Sequence, residues 1–111
     1  MGYHSDVALV LSPAAVRAFD KFTKENNNLE ALLDVTDITK DKDGCRMYIW
    51  HDIKWYGKSE ISLLEDWLDN IRATEFLFHK IGEDLEDACT DGSFWHNPFN
   101  CQLVRRIEFT E

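Results

Sequence analysis

Five consecutive apolar residues, Val7 to Leu11, run directly into Ser12-Pro13. A run of that length suits one buried strand and falls far short of the stretch of about 18 residues needed to cross a bilayer. Ser12 has the side chain of a helix N-cap, and Pro13 fits the first helical position, where a missing N–H costs nothing. The opening is therefore expected to be a strand followed at once by a helix. A secretory leader would place Lys or Arg before a longer apolar segment and end at a small-residue cleavage site. Here His4, Ser5 and Asp6 precede the run instead, so these residues are expected to belong to the fold.

The same logic continues along the chain. Ala15, Val16, Phe19 and Phe22 recur at helical spacing, and Asn26-Asn27-Asn28 suits the end of that helix. Leu29 to Leu33 allows a short further turn. Thr36 to Thr39 and Cys45 to Trp50 flank Asp41-Lys42-Asp43-Gly44, whose Asp-Gly pair predicts a hairpin. The second arm carries bulky apolar groups on both faces, Met47 and Ile49 against Tyr48 and Trp50, as an interior strand does. Ser59 opens the clearest helix, to about Arg72, with Leu63, Leu64, Trp67, Leu68 and Ile71 on one side and Glu65, Asp66 and Asp69 on the other. Phe76 to Ile81 and Cys101 to Phe109 read as the remaining strands, joined by a connection that contains Asp91-Gly92 and Asn97-Pro98. These elements predict a single compact domain over residues 1–111 with an α+β fold: an antiparallel sheet of about five strands with two principal helices packed on one face.

No catalytic or metal motif emerges. Aligned on Gly44, a calcium loop would need ligands where Thr39 and Trp50 stand. His4, His51, His79 and His96 lack metal-ligand spacing. Ser5, His51 and Asp52 have the residue types of a hydrolytic triad but no nucleophile elbow supports one. Glu83, Asp84, Glu86 and Asp87 are oxygen-rich, yet consecutive acids on a strand point to opposite faces and spoil a single cage. The expectation is a protein without enzymatic activity, cofactor or metal. Cys45, Cys89 and Cys101 are odd in number and widely spaced, which points to reduced thiols in a cytoplasm.

Charge is the outlying property. Twenty-one Asp and Glu face twelve Lys and Arg, for a formal net charge of -9. Nucleic acid and anionic membranes are disfavoured as partners, whereas a basic protein surface is attracted. Gly82 to Asp91 holds five acids and no base. On the second long helix Glu65 and Asp69 lie at i and i+4, and Asp66 and Asp69 at i and i+3, a mildly unfavourable arrangement. Rows of carboxylates about 5–6 Å apart approximate the phosphates of a nucleic-acid strand and suit a Lys/Arg-lined channel; the plain alternative is an ordinary solvated face. The aromatic residues from Phe94 to Phe99 either reach the surface, with Trp95 and Phe99 as anchors for a partner, or form a second small cluster.

Met1-Gly2-Tyr3-His4-Ser5-Asp6-Val7-Ala8 resembles the start of a family of small acidic phage and prophage proteins that open M-G-Y-x-S-D/E-V-A. Trp55-Tyr56, Lys80-Ile81-Gly82-Glu83-Asp84, and Asn97-Pro98-Phe99 leading into Val104-Arg105-Arg106-Ile107-Glu108-Phe109 agree with the same family in the same order. Gly57-Lys58-Ser59 departs from it, since relatives often place a charged, Pro-containing stretch there. The resemblance implies a mobile-element origin and action in the cytoplasm of a bacterial host. It further implies an inhibitor of host defence of the anti-CRISPR type, binding a CRISPR effector subunit through a Lys/Arg-rich nucleic-acid-binding surface. The expected contacts are Glu65, Asp66, Asp69, Glu83, Asp84, Glu86 and Asp87, with Trp95 and Phe99 as hydrophobic anchors. Two other readings are a module that sequesters a small signalling molecule and a phage housekeeping domain that binds a protein.

Overall fold

The computed structural model describes residues 4–55, 59–82, 88–95, 97–99, 102–103 and 107–108. In chain order these form β1 (Ser5–Leu11), α1 (Pro13–Glu25), α2 (Leu29–Asp34), β2 (Ile38–Lys42), β3 (Cys45–Ile53), α3 (Ser59–Asn70), a 3₁₀ turn (Ala73–Glu75), β4 (Phe76–Gly82), β5 (Ala88–Gly92), β6 (Gln102–Leu103) and β7 (Ile107–Glu108). Five strands make one antiparallel sheet in the order β2-β3-β1-β4-β5. The α+β expectation holds, and the first strand of the chain is the central one. That position explains its unbroken apolar run: Val7 to Leu11 are fully buried because both faces of the sheet are covered.

On one face Val7, Leu9 and Leu11 lie with Tyr48, Trp50, Phe76 and Phe78 beneath the helices. Ser12 caps α1, its Oγ accepting from the Ala15 N–H at 3.2 Å, and the same hydroxyl donates to the Glu75 carboxylate. Pro13 occupies the first turn as its fixed φ allows, and Asn26 closes the helix by donating its side-chain amide to the Phe22 carbonyl at 2.9 Å. Phe19 sits between Tyr48 and Trp67, with ring centroids 5.7 and 5.2 Å away. Trp67 of α3 also stacks on Phe22, so aromatic packing joins the two long helices. Trp50 donates its Nε1 to the Leu32 carbonyl at 2.9 Å, which fixes α2 over β3.

The hairpin forms as its Asp-Gly pair predicts. Lys42 pairs with Cys45, and Asp43 and Gly44 make the two-residue turn with φ of 55° and 81°. β2 runs through Asp41 and Lys42, which the sequence places in the turn. At the far end of β3 the register with β1 shifts, and Asp52, at φ 55°, donates its N–H to the Asp6 carboxylate at 2.9 Å.

The other face carries the second cluster that the aromatic stretch allowed, while two strand assignments depart from expectation. Ala8, Val10, Cys45, Met47, Ile49 and Leu77 form a second cluster closed by Phe99, with Ile38, Phe94 and Ile107 against it. The fifth strand of the sheet is Ala88–Gly92, inside the segment read as a connection. Within Cys101 to Phe109, the described residues instead form a two-residue ribbon, β6 with β7, separate from the sheet. The physical reason is position. β5 lies at the edge, its residues mostly exposed, so no apolar alternation marks it, whereas Ile107 of the later stretch packs against the second cluster.

Candidate interaction surface

Side-chain geometry disposes of two of the chemical readings. Ser5 is buried in line with Val7 and Leu9 on the helix-covered face of β1, while His51 follows Met47 and Ile49 on the opposite face of β3. Ser5 and His51 therefore stand on opposite sides of the sheet and form no triad. His51 approaches Asp6 at 3.8 Å, and His4 meets Asp52 at 2.7 Å, beside the bulge. In the other reading, Asp41 sits in β2 and accepts from the Arg46 Nε at 2.9 Å, so the Asp-Lys-Asp-Gly stretch is a strand end and hairpin turn rather than a calcium loop. Burial and the nearby Asp43 carboxylate both raise the Cys45 thiol above its usual range, which suppresses its thiolate.

The acidic helix face is present as read. Ile61, Leu64 and Leu68 are buried, which turns Glu65, Asp66 and Asp69 outward, all exposed. No Lys or Arg lies between Ser59 and Asn70, and among the described residues none of these three carboxylates joins an ion pair. Glu83, Asp84, Glu86 and Asp87 lie outside the described residues. Trp95 is 51% exposed, as an anchor for a partner requires. Phe99 is 1% exposed and belongs to the second core cluster, so its ring is packed inside the protein. The cause is Asn97: its side-chain amide donates to the Phe94 carbonyl at 2.9 Å and its Oδ1 accepts from the Phe99 N–H at 3.1 Å, a closed turn that carries Phe99 inward.

The fold adds what the sequence order concealed. A groove of about 150 Å³ runs between α3 and β5, with Leu68 and Phe78 lining it and Glu65, Asp69 and Asp91 at its rim, beside the exposed Cys89. Nothing in the sequence distinguishes Asp91 from the other four acids of its segment; only the pairing of β5 with β4, Asp91 opposite Phe78, carries it to the helix. On the other face of the same strand pair, Thr90 hydrogen-bonds the fully buried His79 at 2.9 Å, and the Trp95 ring covers His79 at 5.6 Å. The α3 acids and Trp95 thus flank one edge of the sheet from its two sides.

No family model matches the chain, and neither a curated protein nor a solved structure matches it significantly. No helix among the described residues is long and apolar enough to cross a membrane.

Proposed function

We propose that this protein acts by stoichiometric binding rather than by catalysis, and that its acidic edge docks on a Lys/Arg-rich nucleic-acid-binding surface of a host defence complex. The observation that carries the reading is the outward row Glu65, Asp66 and Asp69 on a helix without a basic residue, joined across the groove by Asp91. Like charges at these spacings weaken a helix slightly. A basic partner removes that repulsion, and attraction between the opposite charges speeds the encounter. The resemblance of the opening residues to small acidic phage proteins makes a CRISPR effector subunit the first partner to test, with the protein serving as an anti-CRISPR.

Affinity capture with the tagged protein from a host lysate, at low and high salt and read by mass spectrometry, tests this. The expected result is recovery of an effector subunit that weakens as salt rises. Full inhibition by a variant carrying Glu65→Lys, Asp66→Lys, Asp69→Lys and Asp91→Lys would sink the acidic-surface mechanism.

A second reading draws on a recess of about 300 Å³ lined by Lys40, Asp41, Lys42 and Phe99, at the lower end of the size range of small-molecule sites. Its two lysines suit an anionic ligand. Such a binder would keep its activity when the α3 acids are reversed and lose it with Lys40→Glu and Lys42→Glu.

A further inference from the structure

We propose that β5 takes up an extended segment of the partner as an added strand, with Lys or Arg at alternate positions of that segment resting over Glu65 and Asp69. This depends on the acidic-edge reading above and specifies the conformation and pattern of what binds there.

The first argument is the edge itself. β5 ends the sheet, and among the described residues no strand pairs with its outer side. A terminal strand leaves a row of backbone donors and acceptors that water or another strand must satisfy. Natural edges are usually blocked by Lys, Pro or a bulge. β5 carries no Lys, Pro or bulge: it reads Ala-Cys-Thr-Asp-Gly, its pairing with β4 runs without a register break from Ile81 opposite Ala88 to Leu77 opposite Gly92, and at its end the Gly92 N–H donates to the Asp91 carboxylate at 2.9 Å.

The second argument is spacing. Cys89 and Asp91 pair with Lys80 and Phe78, so they share the helix-covered face. Every second side chain of an added strand would point to that same face, about 6.6–6.8 Å apart. Glu65 and Asp69, one helical turn apart, lie about 5–6 Å from each other. Two cations at i and i+2 of the incoming strand therefore match two carboxylates at i and i+4 of α3. Leu68 and Phe78 provide an apolar bed for their aliphatic stems. Lys80, on the same face, lies opposite Cys89, so one cation stands beside the rim, where the three carboxylates Glu65, Asp69 and Asp91 outnumber it.

The third argument lies on the opposite face. The intervening side chains of the added strand would point toward Trp95, whose half-exposed ring lies over His79 beside Thr90. An apolar residue between two cations would cover that ring. A bound helix would leave the backbone groups of the β5 edge to water, and a nucleic acid would be repelled by the rim; an extended cationic segment satisfies backbone, charge and aromatic surface together.

The test uses a short peptide of alternating lysine and valine and two derivatives of it, one N-methylated at every lysine and one at every valine. Alternate N–H groups of a strand point to the same side, so only one derivative loses the donors that face β5. Binding is measured by fluorescence anisotropy at low salt, and backbone amide shifts locate the contact. The proposal expects the parent to bind, one derivative to weaken by about tenfold or more, and the other to stay within about twofold. It also expects shifts at Ala88 to Gly92 and weakened parent binding in the Glu65→Lys/Asp69→Lys variant. Equal binding of parent and both derivatives, still lost on charge reversal, overturns strand addition and leaves the acidic-edge reading standing. Absence of any binding that responds to the charge reversal overturns both.

Discussion

The two edges of the five-stranded sheet are built in opposite ways. At the β2 edge Lys40 and Lys42 stand beside the tight Asp43-Gly44 turn, and Arg46 bridges Asp41 and Asp20 at 2.9 and 2.8 Å. Burial alone would lower the Arg46 pKa, but its hydrogen bonds to Asp41, Asp20 and Tyr48 together raise it, as expected of a guanidinium held among acceptors. At the β5 edge the strand carries no cation, and three carboxylates and a half-exposed Trp surround it. An edge with lysines and internal ion pairs resists a further strand; an edge with unneutralised acids and an apolar groove invites one. Two strands in equivalent topological positions thus differ by charge placement rather than by backbone.

The largest expected effect comes from the glycine at each edge. Both have φ of 81°, where an L side chain is strained. A Cβ at Gly92 would stand 2.3 Å from the Phe76 carbonyl oxygen, whereas one at Gly44 would meet only the Pro13 ring at 3.3 Å. Gly92→Ala should therefore cost about 2–4 kcal/mol and Gly44→Ala about 1 kcal/mol, read from urea unfolding midpoints. Hydrogen exchange at Ala88 to Thr90 should rise in the first variant alone. Equal losses would mean that β5 is no more tightly seated by its glycine than the hairpin is.

Charge reversal tests the functional half of the contrast. Glu65→Lys with Asp69→Lys should lower affinity for the captured partner by about tenfold or more, and the loss should shrink at high salt. Lys40→Glu with Lys42→Glu at the other edge should change it by less than about twofold, within the usual range for remote surface changes. Reversed ranks in these two titrations would move the binding site to the β2 side and favour the small-ligand recess.

Most of the framework was legible because it rests on local periodicity and turn chemistry. Val7–Leu11, the Ser12-Pro13 start, the Asp-Gly hairpin and the two-sided character of α3 are each written in a few neighbouring residues. The missed parts depend on partners far along the chain. Ala88–Gly92 has no apolar alternation, since almost all of it is exposed, and it becomes a strand through its pairing with β4. His79 lies in the strand predicted over Phe76 to Ile81, but its full burial and its hydrogen bond to Thr90 depend on β5 and are not written in its neighbours. Phe99 looked as available as Trp95, and only the Asn97 turn separates their fates. The acids of α3 were visible, but the groove that links them to Asp91 exists only once the sheet is assembled.

Thiol chemistry gives a finer probe of the same contrast. Cys89 is exposed at the groove, whereas Cys45 is buried near the hairpin with its pKa raised by burial and by Asp43. Iodoacetamide should modify Cys89 well before Cys45, as peptide mapping would reveal. A bulky neutral adduct at Cys89 should reduce partner binding severalfold while leaving the unfolding midpoint unchanged, because an exposed side chain at the strand edge contributes little packing. Undiminished binding by the modified protein would place the partner away from the groove.

The smallest effect belongs to Arg46. Its ion pairs with Asp20 and Asp41 have both acids half-exposed or more, so their contribution is reduced by solvent. Arg46→Met keeps much of the apolar stem and removes the charge, and should cost less than about 1 kcal/mol. Because the interaction is electrostatic, the difference between variant and parent should narrow in high salt, measured as paired unfolding midpoints. Partner binding at the β5 edge should not change. A salt-independent loss would show that packing, rather than charge, holds the β2 edge. The two edges would then differ only in what they present to a partner and not in how each is held.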